Sequence, residues 1–214
     1  AIDLDKQKLK KLREFIKELG LATNSLITYE CNILDENQVK KTTKLINKKF
    51  KKIDVLVNNA TFRGKHIKEF YKEFTKFKIK SWNEISATNI EGTFLITKHV
   101  SKLMIKKKEG SIIQIGSIYS KVAPNFDLYS NSFFKGEKMS SPAVYSVNKF
   151  GLVGLTKYLA SYLGKYNIRV NCLSPGGIDD NHSKAFKKKY SSYVPLKRMG
   201  KVEDLAGAII FLSS

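Results

Sequence analysis

Apolar residues recur on one stripe between Asp5 and Leu19, at Leu9, Leu12, Ile16 and Leu19, with Gly20 behind them. This spacing predicts an amphipathic helix with a glycine stop. Leu26 to Cys31 is a short apolar strand candidate, and Asp35 can cap a helix running to Phe50 along Val39, Thr43, Ile46 and Phe50. Ile53 to Val57 is a continuous β-branched run that ends in Asn58-Asn59, the pattern of a buried parallel strand. A Lys- and Phe-rich stretch from Lys65 to Lys80 shows little period. Beyond it, Trp82 to about Lys108 predicts a long helix, Ser111 to Ile115 a strand, Val144 to about Lys165 a helix and Ile168 to Leu173 a strand. A polar segment then runs to Tyr193, and Glu203 to Leu212 predicts a last helix. Helices alternating with apolar strands predict an α/β fold, a doubly wound parallel sheet in three αβα layers. No repeat or linker divides the chain, so residues 1 to 214 are expected as a single domain.

Composition narrows the classes. An apolar fraction of 42% spread over 214 residues argues against disorder, and no window holds ~20 uncharged apolar residues to span a membrane. Cys31 and Cys172 each sit in an apolar run, which predicts small buried thiols, no disulfide and a reducing cytoplasm. His66, His99 and His182 have no metal-ligand spacing, so no metal is expected. The formal charge of +20 raises a nucleic-acid hypothesis. Only Arg13, Arg63, Arg169 and Arg198 are arginine, however, and the lysines fall mostly on the polar sides or ends of helices. Lysine supplies point charge without bidentate recognition, so a solvated surface explains most of it.

In an open parallel sheet, ligands bind beyond the carboxyl ends of the strands. Asn58-Asn59, Gly116-Ser117 and Ser174-Pro175-Gly176-Gly177 occupy such ends. The 27 residues between Ser117 and Tyr145 include a Ser-, Asn-, Pro- and aromatic-rich loop, about Tyr119 to Ser141, long enough to suggest a functional role. Tyr145 and Lys149 lie four apart on one predicted helix and project from the same face. A cation one turn from a phenol favours the phenolate and suits that phenol to proton exchange near neutrality. With 10 tyrosines in the chain such a pair also arises by chance.

The ordered motifs Asn58-Asn59-Ala60, Thr88-Asn89-Ile90-Glu91-Gly92, Gly116-Ser117, Tyr145-Ser146-Val147-Asn148-Lys149 and Ile168-Arg169-Val170-Asn171-Cys172-Leu173-Ser174-Pro175-Gly176 resemble the short-chain dehydrogenase/reductases over essentially the whole chain. The resemblance implies a Rossmann-type fold, a nicotinamide cofactor and a catalytic tetrad of Asn89, Ser117, Tyr145 and Lys149. By it, Tyr145 exchanges a proton with the substrate oxygen, Ser117 hydrogen-bonds that oxygen, Lys149 tunes the tyrosine and binds the nicotinamide ribose, and the Asn89 backbone holds a relay water.

For the cofactor, the resemblance implies that Asp3 ends the family's second strand, where a carboxylate accepts from ribose hydroxyls and repels a 2′-phosphate. NAD is therefore expected over NADP, with Asp5 as the fallback residue and helix capping as the alternative. Asn32 and Ile33 resemble the adenine-side pair, Asn59 and Ala60 the wall beside the adenosine, and Pro175, Gly176 and Ile178 the loop at the carboxamide. Asp180 stands where the family often has threonine. The glycine-rich turn that seats a pyrophosphate is missing. Together with the absence of the last strand, this leads us to expect a fragment of a longer protein.

The surplus of the long loop, roughly Val122 to Met139, is expected over the substrate pocket. Ser117-Ile118-Tyr119, Val122-Ala123-Pro124, the run from Ser140 to Tyr145, and Ser174 to Ile178 with Asp180-Asn181 resemble flagellin-modification and legionaminic-acid-type sugar oxidoreductases. That resemblance implies an anionic sugar or nucleotide-sugar substrate in surface-glycan biosynthesis, with Lys135, Lys138, Lys184 and Lys187 to Lys189 as candidates to meet a phosphate. The rival enzyme reading is a 3-oxoacyl carrier-protein reductase, whose acidic carrier a basic surface suits. A rival of another class is a basic nucleic-acid-binding module on the same scaffold. The family resemblance also implies a homodimer or homotetramer built on the helices that carry Asn89 and Tyr145.

Overall fold

The structure, a computed structural model, describes residues 1–134 and 136–214, apart from the side chain of Thr23. Parallel strands alternate with helices throughout. β1 (Ile2–Asp3) leads into α1 (Lys6–Glu18), β2 (Tyr29–Glu30) into α2 (Glu36–Phe50), and β3 (Val55–Asn58) into a helical region of three pieces. Those pieces are the single turn α3 (Ile67–Phe70), α4 (Ile79–Ser86) and α5 (Thr93–Lys107). β4 (Gly110–Ile115) follows, then a small antiparallel hairpin of β5 (Phe133–Phe134) and β6 (Glu137–Lys138). The chain continues through α6 (Ala143–Gly164), β7 (Ile168–Leu173), α7 (Lys184–Tyr193) and α8 (Ala206–Ser213).

The cap predicted at Asp35 forms, and Asp5 takes the capping role that stood as the alternative to cofactor binding. The Asp5 carboxylate accepts from the N–H groups of Gln7 and Lys8, and that of Asp35 from Asn37 and Gln38, meeting orphan donors at the starts of α1 and α2. The parallel strands fall into two ladders, β1 beside β2 and β3-β4-β7 in that order. One core joins them: Cys31, Val39, Ile96, Val100, Met104, Ile112, Leu163, Ile168 and Val170 pack together, with Ile2 and Leu56 against them. Successive strand residues face opposite ways. Ile112 therefore packs toward α5 and α6, while the Ser111 hydroxyl donates to the Leu212 carbonyl of α8 at 2.6 Å on the other face. Helices cover both faces of β4, as the alternation predicts.

Several details differ from the sequence reading: of the two thiols expected to be buried only Cys31 is, and the last helix expected from Glu203 opens as a 3-10 turn, Val202–Leu205, before α8. The strand expected over 26 to 31 contracts to Tyr29–Glu30. The run at Ile53 registers as Val55–Asn58, and Val57 is 39% exposed, because β3 has a ladder partner on one side only among the described residues. The long helix is not continuous in type: Ala87–Gly92 between α4 and α5 is π-helical. The polar segment before Tyr193 holds α7, which buries Phe186. No described helix is long and apolar enough to cross a membrane.

Candidate active site

The site lies along the carboxyl ends of β3, β4 and β7, with the first turns of α6 beside them. α6 begins behind Pro142, whose fixed φ suits a helix start. It presents Tyr145 and Lys149 on one side, the Lys149 Nζ standing 5.7 Å from the centre of the Tyr145 ring. Lys149 donates to the Ile115 carbonyl at 2.7 Å, which ties it to the end of β4. Burial pulls its pKa down to about 8, with the Arg63 charge acting the same way and Cys172 opposing. The ammonium thus stays charged at neutrality but releases its proton more readily than a free lysine.

Ser117 is buried just beyond β4, and its Oγ accepts from the Tyr119 N–H at 3.2 Å. That bond uses an acceptor site and leaves the hydroxyl proton available to another oxygen. Behind it, Ile118 N–H donates to the Pro175 carbonyl at 2.7 Å and Gly116 N–H to the Leu173 carbonyl at 2.7 Å, so the ends of β4 and β7 are laced together. A Cβ at Gly116 would stand 2.7 Å from Cys172 Sγ and 2.9 Å from Ser174 Oγ, so this close approach needs glycine.

Asn89 is 6% exposed in the π segment. Its Oδ1 accepts from Phe62 N–H at 2.8 Å, its Nδ2 donates to the Phe62 carbonyl at 3.1 Å, and its own carbonyl accepts from Thr93 Oγ1 at 3.1 Å. Phe62 and Tyr145 both pack against the apolar cluster of Phe70, Ile85 and Val144, which brings the Asn89 contact and Tyr145 to one cluster. The Tyr145 ring is edge-on to Phe70 at 6.4 Å and to Tyr119 at 6.3 Å. Tyr119 and Tyr129 share a hydroxyl hydrogen bond at 2.7 Å, and burial raises both pKa values. These aromatic walls were not singled out in the sequence, because they come from the aperiodic stretch and the long loop.

The loop builds a core of its own. Leu128, Phe134 and Met139 pack with Phe186 and Met199, and with Ile67 and Tyr71. Lys189 donates to the carbonyls of Asp127 and Ser130, and Lys187 pairs with Asp179. Two of the lysines proposed to meet a phosphate are therefore engaged in structure. Lys138, Lys184 and Lys188 are exposed, and Lys135 lies outside the described residues.

The cofactor candidates also line strand ends. Asp3 closes β1; its Oδ1 accepts from Asp5 N–H at 2.9 Å, and no described group donates to its Oδ2. Asp5 itself is taken up in capping α1. Asn32 Oδ1 accepts from Leu34 N–H at 3.0 Å beyond β2, and Ile33 packs so near Gly92 that a Cβ there would stand 2.7 Å away. Asn59 and Ala60 are exposed past β3. At Gly176 a Cβ would lie 2.8 Å from the Tyr190 hydroxyl, which also accepts from Gly177 N–H. Ile178 pairs with Gly200. A carboxylate oxygen without a described donor at one strand end and a partly buried ammonium at another are groups of the kind that meet ribose hydroxyls.

With that geometry in hand, the family comparison is decisive: the family described as Enoyl-(acyl carrier protein) reductase matches residues 1–214. The chain belongs to the short-chain dehydrogenase/reductases. It is similar to 3-oxoacyl-(acyl-carrier-protein) reductase FabG of Thermotoga maritima, 30% identical, covering 100% of this chain and 79% of that protein. Among solved structures it resembles a short-chain dehydrogenase of Leptospira borgpetersenii with bound NAD+, at 33% identity and TM-score 0.76, covering 87% of this chain and 68% of the other. It also resembles a gluconate 5-dehydrogenase of Burkholderia cenocepacia in complex with NADP and tartrate, at 25% identity and TM-score 0.80, covering 100% and 76%. This short-chain dehydrogenase/reductase is thus an oxidoreductase that uses a nicotinamide nucleotide.

Proposed function

We propose that the chain interconverts a secondary alcohol and a ketone, with Tyr145 moving the proton. The observation that carries this reading is the Tyr145 and Lys149 pair on α6, its ammonium partly buried and held at the Ile115 carbonyl. A nicotinamide, when bound, supplies or accepts the hydride. Tyr145 Oη gives its proton to the carbonyl oxygen in reduction and takes it from the hydroxyl in oxidation. Ser117 Oγ donates to the same oxygen, its acceptor side being used by Tyr119 N–H. Lys149 holds a ribose hydroxyl and steadies the phenolate, and the Asn89 carbonyl, with one lone pair engaged by Thr93, has room for a water. Asp3, Asn32 and Ile33 hold the adenosine end, Asn59 and Ala60 flank it, and Pro175, Gly176 and Ile178 meet the carboxamide.

NAD is the preferred nucleotide, since the Asp3 carboxylate repels a 2′-phosphate. Two substrate classes fit. An anionic sugar derivative is supported by the polar and aromatic loop over Tyr145; a 3-oxoacyl thioester is supported by the name of the Thermotoga maritima relative. A second copy of the chain is expected on the α5 and α6 face, where Phe94, Val147, Phe150, Tyr158 and Tyr162 are exposed. The test is nucleotide-linked turnover by the protein on sugar phosphates, nucleotide sugars and 3-oxoacyl thioesters. Tyr145→Phe is expected to lower it about 10²–10⁴-fold, and undiminished turnover in that variant overturns the mechanism.

A further inference from the structure

Arg63 is the cation at this site that the roles above leave unused. It follows Phe62, whose N–H and C=O are both held by the buried Asn89 amide, so the backbone that carries Arg63 is fixed from below. Gly64 comes next with a φ of +84°, a left-handed turn that favours glycine and ends the segment abruptly. The Arg63 guanidinium lies over the Phe134 ring, 5.7 Å from its centre. Phe134 is buried in the loop core, edge-on to Tyr71 at 6.5 Å and 5.3 Å from the His182 ring. Tyr71 meets Phe70 at 5.3 Å, and Phe70 meets Tyr145 at 6.4 Å. One aromatic wall therefore runs from the guanidinium to the proton-transferring tyrosine.

Among the described residues no carboxylate stands within ion-pair distance of Arg63, although the Asp180 charge reaches the same Tyr71 and His182. The Arg63 field is felt at Tyr71, at His182 and at the partly buried Lys149. A guanidinium stacked on an aromatic face keeps its N–H edges free for two parallel bonds to an oxyanion. Of the lysines considered for an anion, Lys187 and Lys189 are occupied by Asp179 and by loop carbonyls, and Lys138, Lys184 and Lys188 stand exposed with no aromatic face beneath them among the described residues.

We propose that Arg63 is the substrate-recognition residue of this site, binding a compact oxyanion, a carboxylate or a phosphate ester, that the substrate carries beside its reacting carbon. The inference rests on the alcohol and ketone reading only for the identity of the reacting carbon. Anion binding itself can be measured without turnover.

The experiment titrates inorganic phosphate and acetate separately into the protein while following the His182 ring resonances by NMR. A saturable shift is expected, with half-saturation raised at least tenfold in Arg63→Gln, raised less in Arg63→Lys, and unchanged in Lys44→Gln, far away on α2. Tighter phosphate binding points to a phosphorylated substrate and tighter acetate binding to a carboxylate. No saturable shift with either anion overturns the assignment, as does equal binding by Arg63→Gln, or a loss in Lys184→Gln in its place. If Tyr145→Phe keeps full turnover while Arg63→Gln loses anion binding, the mechanism falls and the anion site stands.

Discussion

The Asn89 side chain makes both hydrogen bonds of residue Phe62, accepting from its N–H at 2.8 Å and donating to its carbonyl at 3.1 Å. The amide mimics a strand partner for one residue, and it does so from inside a helix. Asn89→Ala leaves two main-chain groups at a partly buried position without partners, at about 1–3 kcal/mol. Urea denaturation should report that loss, and Asn89→Asp, which keeps only the acceptor, should fall between. Unchanged stability in Asn89→Ala would show that the clamp contributes nothing.

Tyr145→Phe is expected to lower turnover about 10²–10⁴-fold, the range for a positioned proton donor. Ser117→Ala should cost about 10²–10³-fold, as for one removed oxyanion donor. Both variants should keep the fold and the nucleotide affinity, read by circular dichroism and by quenching on NADH addition.

Lys149 makes stability depend on pH. In the folded chain it titrates at about 8, against a reference of 10.5. Below pH 8 both states carry the proton and the burial penalty is present in full. Between the two values the unfolded chain binds more protons, so stability rises with pH there. The gain should be about 3 kcal/mol, and Lys149→Met should remove that part of the slope. Superimposable pH profiles for the two proteins would refute the assignment.

Gly116→Ala would put a Cβ 2.7 Å from Cys172 Sγ and 2.9 Å from Ser174 Oγ. A destabilisation of about 1–3 kcal/mol is expected. Cys172→Ala should recover part of it, and a double-mutant cycle should give a coupling of about 0.5–3 kcal/mol. Strict additivity would mean that the strain lies elsewhere.

On α6, Tyr158 and Tyr162 stack at 6.0 Å while 65% and 50% exposed. If the α5 and α6 face meets a second copy, the double substitution of both by Glu should lower the sedimenting mass to that of the monomer, or to half that of a tetramer. An unchanged mass would move the interface off this face.

How much the sequence revealed varied with how local the controlling physics is. The caps at Asp5 and Asp35 and the strand Ile168–Leu173 follow from residues a few positions apart and were legible. The short ladder at Tyr29–Glu30 depends on its pairing with β1, which no stretch of residues announces. Of the candidate site, Tyr145 and Lys149 could be read from helical spacing. Asn89 could be named, but its grip on Phe62 joins residues 27 apart in sequence. Arg63 had no signal at all, since its meaning comes from Phe134 in the loop. The polar segment before Tyr193 hid a helix because α7 buries mainly Phe186 and leaves its lysines outside.

The π turn at Ala87–Gly92 sets the rotational phase between two helices. A π turn behaves as one residue inserted into an α-helix, and one residue corresponds to about 100° of rotation. Ile85 before it and Ile96 after it are both buried, so each side is already in its proper phase. Removing any one residue between them would restore regular winding and swing α4 against α5 by that angle. Either Ile85 or the Asn89 amide would then turn outward. In this stretch the number of residues matters as much as their identity, and a single-codon deletion should be more damaging than most substitutions.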